Sequence, residues 1–199
     1  MLPLDTVLTF FATALMLALA PGPDIIFVLT QSALYGMRAG VATTLGLISG
    51  LCFHTTIVAV GVAGIFMTSP LAFTLLTIVG AAYLLYLAWL SFRAGASMAH
   101  LQESRFLGYW GLYRRGVIMN ITNPKVTLFF LAFLPQFCAP ERGSVALQVM
   151  ELGLLFMLAA FIVFTAWAAA WPTGSTARRA ARCSCTVWPV WSSWPWPGC

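Results

Sequence analysis

The chain has 199 residues, of which 61% are hydrophobic and 8% are charged. A soluble domain carries roughly a quarter charged residues, so this composition excludes a water-soluble protein and predicts an all-α integral membrane protein, with residues 1–199 forming a single membrane domain. The formal charge is +5, but the basic residues lie between apolar runs rather than on one face, which excludes a nucleic-acid-binding protein.

Hydropathy predicts five transmembrane helices, each long enough to cross a bilayer core of about 30 Å. Their predicted bounds are 5–34, 40–66, 71–92, 113–137 and 146–170. The first apolar run has no Lys or Arg before it and exceeds the length of a signal peptide, so we interpret it as a retained first helix.

The basic residues predict the orientation in the membrane, because cytoplasmic loops are enriched in Lys and Arg. One set of alternate gaps between the spans holds Arg38, then Arg93, Arg105, Arg114 and Arg115, then Arg178, Arg179 and Arg182, whereas the other set holds only Arg142. We therefore expect a multi-pass protein of the bacterial inner membrane, with its N-terminus outside and the 93–115 connector in the cytoplasm.

Two of the predicted spans are interrupted. The first run would measure about 48 Å as one straight helix at 1.5 Å per residue, and it is broken by Pro21, Gly22 and Pro23. The fourth is broken by Asn123 and Pro124. Helix breaks at membrane depth survive only where the freed backbone groups face protein or water.

Each break is followed directly by an ionisable residue, Asp24 at the first and Lys125 at the second. Charges inside a membrane are costly and often functional. The structural alternative is that the prolines only kink the helices and that the two charges reach the membrane surface. Two breaks with charges of opposite sign favour a functional site instead.

The spacing of the breaks predicts an internal repeat. Residues 5–92 hold three spans, and after a connector over 93–112 the two spans of 113–171 again begin with a broken one. An odd number of spans per repeat inverts the second repeat relative to the first. Two inverted three-helix repeats with broken first helices are typical of secondary transporters.

The segment 172–199 has an aberrant composition, rich in Trp, Pro and Cys. The repeat would place a sixth helix here, but prolines at 189, 195 and 197 argue against one. One interpretation is a Trp-rich tail at the membrane interface. We favour a shifted reading frame, because back-translation of 187–199 with GC-rich codons, read from the third base, gives a continuous apolar segment that would supply the sixth helix.

The motifs at the breaks resemble those of the LysE/RhtB-type translocators, which export amino acids. The resemblance rests on Ala20-Pro21-Gly22-Pro23-Asp24, on Gly36-Met37-Arg38-Ala39-Gly40, on Gly46 with Gly50, and on Gly116-Val117-Ile118-Met119-Asn120-Ile121-Thr122-Asn123-Pro124-Lys125. It runs from residue 1 to about 170 and departs from the family in the tail. It implies export of homoserine-, threonine- or lysine-like amino acids, driven by the proton gradient without a cofactor.

These residues suggest how a zwitterion could be bound. We expect Lys125 and the N-terminus of the half-helix after Pro23 to hold the substrate carboxylate. Asp24 would face the ammonium or carry the coupling proton, and Asn120 and Asn123 would cap the second break or bind the substrate. In the empty site, Asp24 and Lys125 would form an ion pair; a permanent structural pair is the alternative.

Three other residues have narrower interpretations. Gly46 and Gly50 allow another helix to approach, within the bundle or in a homodimer, which the sequence leaves open. His54 is either a proton relay or a neutral, hydrogen-bonded histidine.

The pattern predicts a small amino-acid substrate and the lipid bilayer as partners, no catalytic residues and no metal, although the pair Cys183 and Cys185 has a metal-like spacing. The alternatives to a transporter are a non-transporting membrane scaffold and a truncated, inactive exporter. An intramembrane enzyme has no support in the sequence.

Overall fold

The computed structural model describes residues 2–20, 22–68, 70–93 and 106–170. Within these ranges the chain forms helices and connecting turns, with no β-strand. The helices are α1 (Leu4–Leu19), α2 (Pro23–Tyr35), α3 (Met37–Thr68), α4 (Pro70–Arg93), α5 (Gly108–Ile121), α6 (Pro124–Leu128) and α7 (Val145–Ala170). The predictions for 172–199, including the reading-frame hypothesis and the cysteine pair, lie outside the described residues.

Two helices of the described chain have the length and composition of membrane spans, and the number rises to four if each bent helix pair counts as one span. The segment Met37–Gly61 of α3 and the whole of α7 qualify as single helices, with mean hydropathies of 1.6 and 2.3. The pair α1 and α2 and the pair formed by α5 and Pro124–Phe137 qualify as bent spans. The all-helical membrane class is thus confirmed. The helix α4 covers the predicted third span, while the count of five spans and the inverted repeat stay predictions.

Both bent spans break where proline and its neighbours interrupt the run. The axes of α1 and α2 differ by 59°, and those of the two halves of the second bent span by 49°. Each second half begins with a proline at its first position, Pro23 in α2 and Pro124 in α6. Proline is tolerated there because the missing N–H has no intrahelical partner at that position.

The helix α5 begins at Gly108, inside the segment predicted as a connector over 93–112. The prediction placed the start of the fourth span at 113, directly before Arg114 and Arg115, whereas the helix already begins at Gly108, ahead of Tyr109 and Trp110. Aromatic and basic side chains are favourable at the membrane interface, so a helix does not need to end where the hydropathy falls.

Small residues let α3 and α5 approach closely. A Cβ atom added at Gly46 would overlap the backbone carbonyl of Tyr113, and one at Gly116 would lie 2.7 Å from the carbonyl oxygen of Thr43. A Cβ added at Gly50 would lie 2.7 Å from the side chain of Asn120. Gly46 and Gly50 therefore lie at a contact inside the bundle, which brings Asn120 of α5 against α3.

The core lies between α1, α3, α7 and the segment that follows the second break. Beyond α6 the chain widens into a π-helical turn at Phe129–Phe133 and narrows into a 3₁₀ turn at Leu134–Phe137. Phe129 and Phe130 pack against Phe156 of α7 with ring centroids 5.1 and 5.2 Å apart. This aromatic packing fixes the second half-helix beside the break.

Candidate functional site

A cavity lies where the two helix breaks meet, with about 430 Å³ of unfilled space that is partly open to the surroundings. Its polar lining side chains are Asp24, Asn120, Asn123 and Lys125, and Gly22 lies beside them. The remaining wall is apolar and includes Leu51 of α3 and Phe156 and Phe164 of α7. The fold thus brings residues 96 or more positions apart in sequence to one site.

Asp24 is the buried carboxylate of this cavity, with 8% of its surface exposed. It occupies the first turn of α2, where the helix dipole favours a negative charge. Asn123 Nδ2 donates to Asp24 Oδ1 at 3.1 Å, and Asn120 Nδ2 donates to Asp24 Oδ2 at 3.4 Å. Each carboxylate oxygen therefore has an amide donor from the second break.

Asn123 uses both ends of its side-chain amide. Its Oδ1 accepts from the backbone N–H of Lys125 at 3.0 Å and so caps the N-terminus of α6. Because this oxygen must face a donor, the Nδ2 group is the end that faces Asp24. The residue that starts the second half-helix thus also holds the carboxylate of the first break.

Lys125 reaches across the cavity to the end of α1. Its Nζ donates to the carbonyl oxygen of Ala20 at 3.1 Å and to that of Leu17 at 3.4 Å. The last carbonyls of a helix lack intrahelical partners, and the negative end of the helix dipole favours a cation there. Two of the three N–H donors of the ammonium group are used in this way.

The predicted ion pair between Asp24 and Lys125 is wrong for this structure. Among the described residues Lys125 Nζ has no carboxylate within salt-bridge distance, and its partners are the two carbonyls of α1. The physical reason is that the breaks supply separate partners for each charge, amide donors for Asp24 and carbonyl acceptors for Lys125. The two charges line one cavity without neutralising each other by contact.

The glycine and prolines of the breaks have different positions in the site. Gly22 is the N-cap of α2 and is buried, and a Cβ atom there would lie 3.4 Å from Lys125 Nζ. Among the described residues no side chain caps α2, so we expect its N-terminal N–H groups to be available to an anion. Pro23 and Pro124 start the second half-helices, and Pro21 lies outside the described residues.

Sequence reasoning missed several residues of the site. The carbonyls of Leu17 and Ala20 had a signal, because any helix that ends at a proline leaves its last carbonyls unpaired. No sequence signal marked the wall residues Phe156 and Phe164, since α7 carries apolar residues on all of its faces. The sequence left two interpretations of His54 open, and in the structure its Nε2 lies 3.1 Å from the backbone carbonyl oxygen of Asn120.

The chain is similar to known proteins over a range that includes the residues of this site. The model of the family described as LysE type translocator matches residues 15–188, which include both breaks. The homoserine/homoserine lactone efflux protein of Salmonella typhimurium is 36% identical over 179 residues, covering 86% of this chain and 85% of that protein.

Two membrane proteins described only as uncharacterized are also similar. The one from Vibrio cholerae is 36% identical over 135 residues, covering 68% of this chain and 66% of its own length. The one from Bacillus subtilis is 30% identical over 170 residues, covering 81% and 80%. No solved structure matches the chain.

Proposed function

Because this chain belongs to the LysE type translocator family, we propose that it is a secondary transporter that exports small neutral amino acids or their derivatives, driven by the proton gradient. The observation that carries the proposal is the cavity at the paired breaks, which presents one carboxylate and one ammonium group without a contact between them. The name of the Salmonella typhimurium relative supports homoserine, which is a zwitterion, as the first substrate to test.

The substrate carboxylate binds between Lys125 and the N-terminus of α2 in this proposal. Two of the three N–H donors of Lys125 bind backbone carbonyls, so one donor remains for the substrate. The uncapped N-terminus of α2 lies beside it at Gly22 and adds the positive end of a helix dipole. Asp24, held by two amides, faces the substrate ammonium from the other side.

The cavity wall favours a neutral side chain. Of the described residues that line it, Asp24 and Lys125 are the two charged ones, and the others beyond the asparagines are apolar or backbone. A zwitterion with a neutral side chain matches this charge count, whereas lysine would bring a second ammonium group with no carboxylate for it. Leaving such a charge unpaired in an apolar wall is costly, so we expect lysine to be rejected.

Binding of the carboxylate links occupancy to movement. A substrate that attracts Lys125 competes with the carbonyls of Leu17 and Ala20, which join α6 to the end of α1. Weakening these hydrogen bonds frees the first half-helix relative to the second break. A ligand that binds one arrangement better than another shifts the equilibrium between them.

Asp24 is the proposed site of the coupling proton. It is the carboxylate among the described lining residues, and a substrate ammonium and a proton would compete for it. Proton binding from outside then favours release of the substrate, which is the exchange that export against a gradient requires. Because the gradient drives protons into the cell, this exchange moves substrate out of it.

The test compares purified full-length variants in proteoliposomes with an imposed proton gradient and labelled L-homoserine. We expect Asp24→Asn and Lys125→Met to lower the rate by about 30-fold or more, the range for removing one member of a buried charged contact. Glu151→Gln is the matched control, because Glu151 lies on α7 with its side chain exposed. Excess unlabelled lysine should leave the rate unchanged.

The outcomes separate the alternatives. Wild-type rates for both Asp24→Asn and Lys125→Met in inserted protein would contradict the proposal. Absence of transport by the unmodified chain would favour the inactive exporter. Strong competition by lysine would contradict the neutral substrate class while leaving the site in place.

A further inference from the structure

The second break leaves the carbonyl of Asn120 without its normal helical partner. In an α-helix this oxygen would accept from the N–H of residue 124, but Pro124 has no N–H. Asn123 N donates to it at 3.0 Å, which closes a tighter turn. Asn120 is 1% exposed, so the oxygen's remaining acceptor capacity is directed into the protein rather than to bulk water.

His54 of α3 supplies a second donor to this oxygen, beside Asn123 N. Its Nε2 lies 3.1 Å from the carbonyl oxygen of Asn120. A carbonyl has no hydrogen to give, so Nε2 carries the hydrogen and donates it. The imidazole is 5% exposed and lies 5.9 Å, between ring centroids, from Phe130. His54 therefore contacts both sides of the break, α5 through Asn120 and the following half-helix through Phe130.

The hydrogen bond of His54 matters because Asn120 holds Asp24. Asn120 Nδ2 donates to Asp24 Oδ2 at 3.4 Å, while its Oδ1, on the Gly50 side of the residue, is buried and has no hydrogen-bond partner among the described residues. Within the part of the chain that the structure describes, the side chain thus makes one hydrogen bond, and its position depends on where its backbone is held. Beside the local hydrogen bond from Asn123 N, His54 is the contact by which α3 holds this backbone carbonyl.

We propose that His54 is a positioning residue of the transport site, fixing Asn120 at the second break through Nε2–H and thereby the orientation of the Asp24 carboxylate. The inference rests on the proposed function. It assigns His54 no contact with the substrate and no transfer of a proton. It predicts that the hydrogen on the ring nitrogen, rather than the volume of the ring, is what transport needs.

The test compares His54→Gln with His54→Leu in proteoliposomes, measuring KM and Vmax for labelled L-homoserine. A glutamine amide nitrogen can take the place of Nε2 and donate, whereas leucine has no donor. We expect His54→Gln to keep KM near the wild-type value and His54→Leu to raise it by about tenfold, as the carbonyl loses the donor that comes from α3. If the leucine variant does not accumulate in the membrane, His54→Met serves as the variant without a donor.

Thr55→Val is the matched control, because Thr55 is buried in the same turn and its hydroxyl donates to Leu51 O within α3 rather than to the second break. It should leave KM unchanged; a rise equal to that of His54→Leu would overturn the inference. So would equal KM values for the glutamine and leucine variants, since a purely packing role of the ring predicts a loss of folded protein and Vmax in both.

The failures of the two proposals are distinguishable. If Asp24→Asn transports at the wild-type rate, the proposed function fails. If Asp24→Asn abolishes transport while His54→Leu keeps the wild-type KM, the site stands and His54 has no positioning role.

Discussion

At the scale of single residues, the two charges of the site are stabilised by neutral groups. Asp24 is held by two side-chain amides, and Lys125 by two backbone carbonyls. Each partner is a neutral dipole rather than an opposite charge. Asp24 and Lys125 also both line the cavity, so each charge can still attract a further group there. A direct ion pair would have used the groups that a zwitterionic substrate needs.

Gly22 gives a prediction at this scale. A methyl group in Gly22→Ala would lie 3.4 Å from Lys125 Nζ, so the ammonium group must move by a few tenths of an ångström. The φ of −158° is extended and suits alanine, so the backbone itself is not strained. We expect KM for labelled L-homoserine to rise roughly three- to tenfold. An unchanged KM in folded protein would show that the ammonium does not bind at this place.

At the scale of elements, the two second half-helices begin with the same order of residues. Gly22, Pro23 and Asp24 start α2, and Asn123, Pro124 and Lys125 start α6, so each has an N-cap, a proline at the first position and a charge at the second. The difference is that Asn123 caps its own helix, whereas α2 has no side-chain cap. In the proposed function, this difference makes the N-terminus of α2, rather than that of α6, the place for a substrate carboxylate.

The contact of α3 with α5 gives a prediction at this scale. A Cβ added at Gly46 meets the backbone carbonyl of Tyr113, which cannot rotate away. We expect Gly46→Ala to lower the free energy of unfolding by about 1–3 kcal/mol, measured by thermal unfolding in detergent. Gly61→Ala is the control, because a Cβ there has nothing within 4 Å. Equal stability of the two variants would contradict the close contact.

At the scale of the whole molecule, the exposed surface and the buried site are opposite in character. Large apolar side chains such as Leu8, Val60, Leu85 and Leu154 are exposed, while Asp24 and Asn120 are buried. This arrangement is the reverse of a soluble protein and matches a lipid-facing exterior around a polar interior. The positive-inside rule then assigns the two ends of the bundle to the two sides of the membrane.

The orientation gives a prediction at this scale. In the proposed orientation Ser144, between the 3₁₀ turn and α7, lies outside, and Leu107, before α5, lies in the cytoplasm. In a background with cysteines 52, 183, 185 and 199 replaced by serine, a membrane-impermeant maleimide should label Ser144→Cys in intact cells. Leu107→Cys should be labelled only after permeabilisation. The opposite pattern would reverse the assigned orientation.

Cys138 can be kept in this experiment as an internal reference. Burial raises the pKa of its thiol from 9.0 to about 11, and the thiolate is the reactive form. At pH 7.5 its thiolate fraction is about 100-fold below that of a thiol at the ordinary value, and it increases as the pH rises toward the folded pKa. We therefore expect slow labelling of Cys138 beside rapid labelling of Ser144→Cys, both from outside.

Much of this protein was predictable from the sequence because the lipid environment imposes simple rules. The apolar runs predicted the positions of the helices to within a few residues, apart from the early start of α5. The prolines predicted both breaks, and the isolated charges predicted which residues line the cavity. Each of these signals is local, since it depends on neighbours along the chain.

The partners of the site residues depended on the tertiary structure. Which carbonyls bind Lys125, which amides hold Asp24 and where His54 donates are set by how closely α3 packs on α5 and by the angles at the breaks. The sequence predicted one carboxylate and one ammonium group at helix breaks inside the membrane, and their opposite charges suggested an ion pair. Only the fold decided that the freed backbone and two asparagines would hold the charges separately, because such contacts join residues about 100 positions apart.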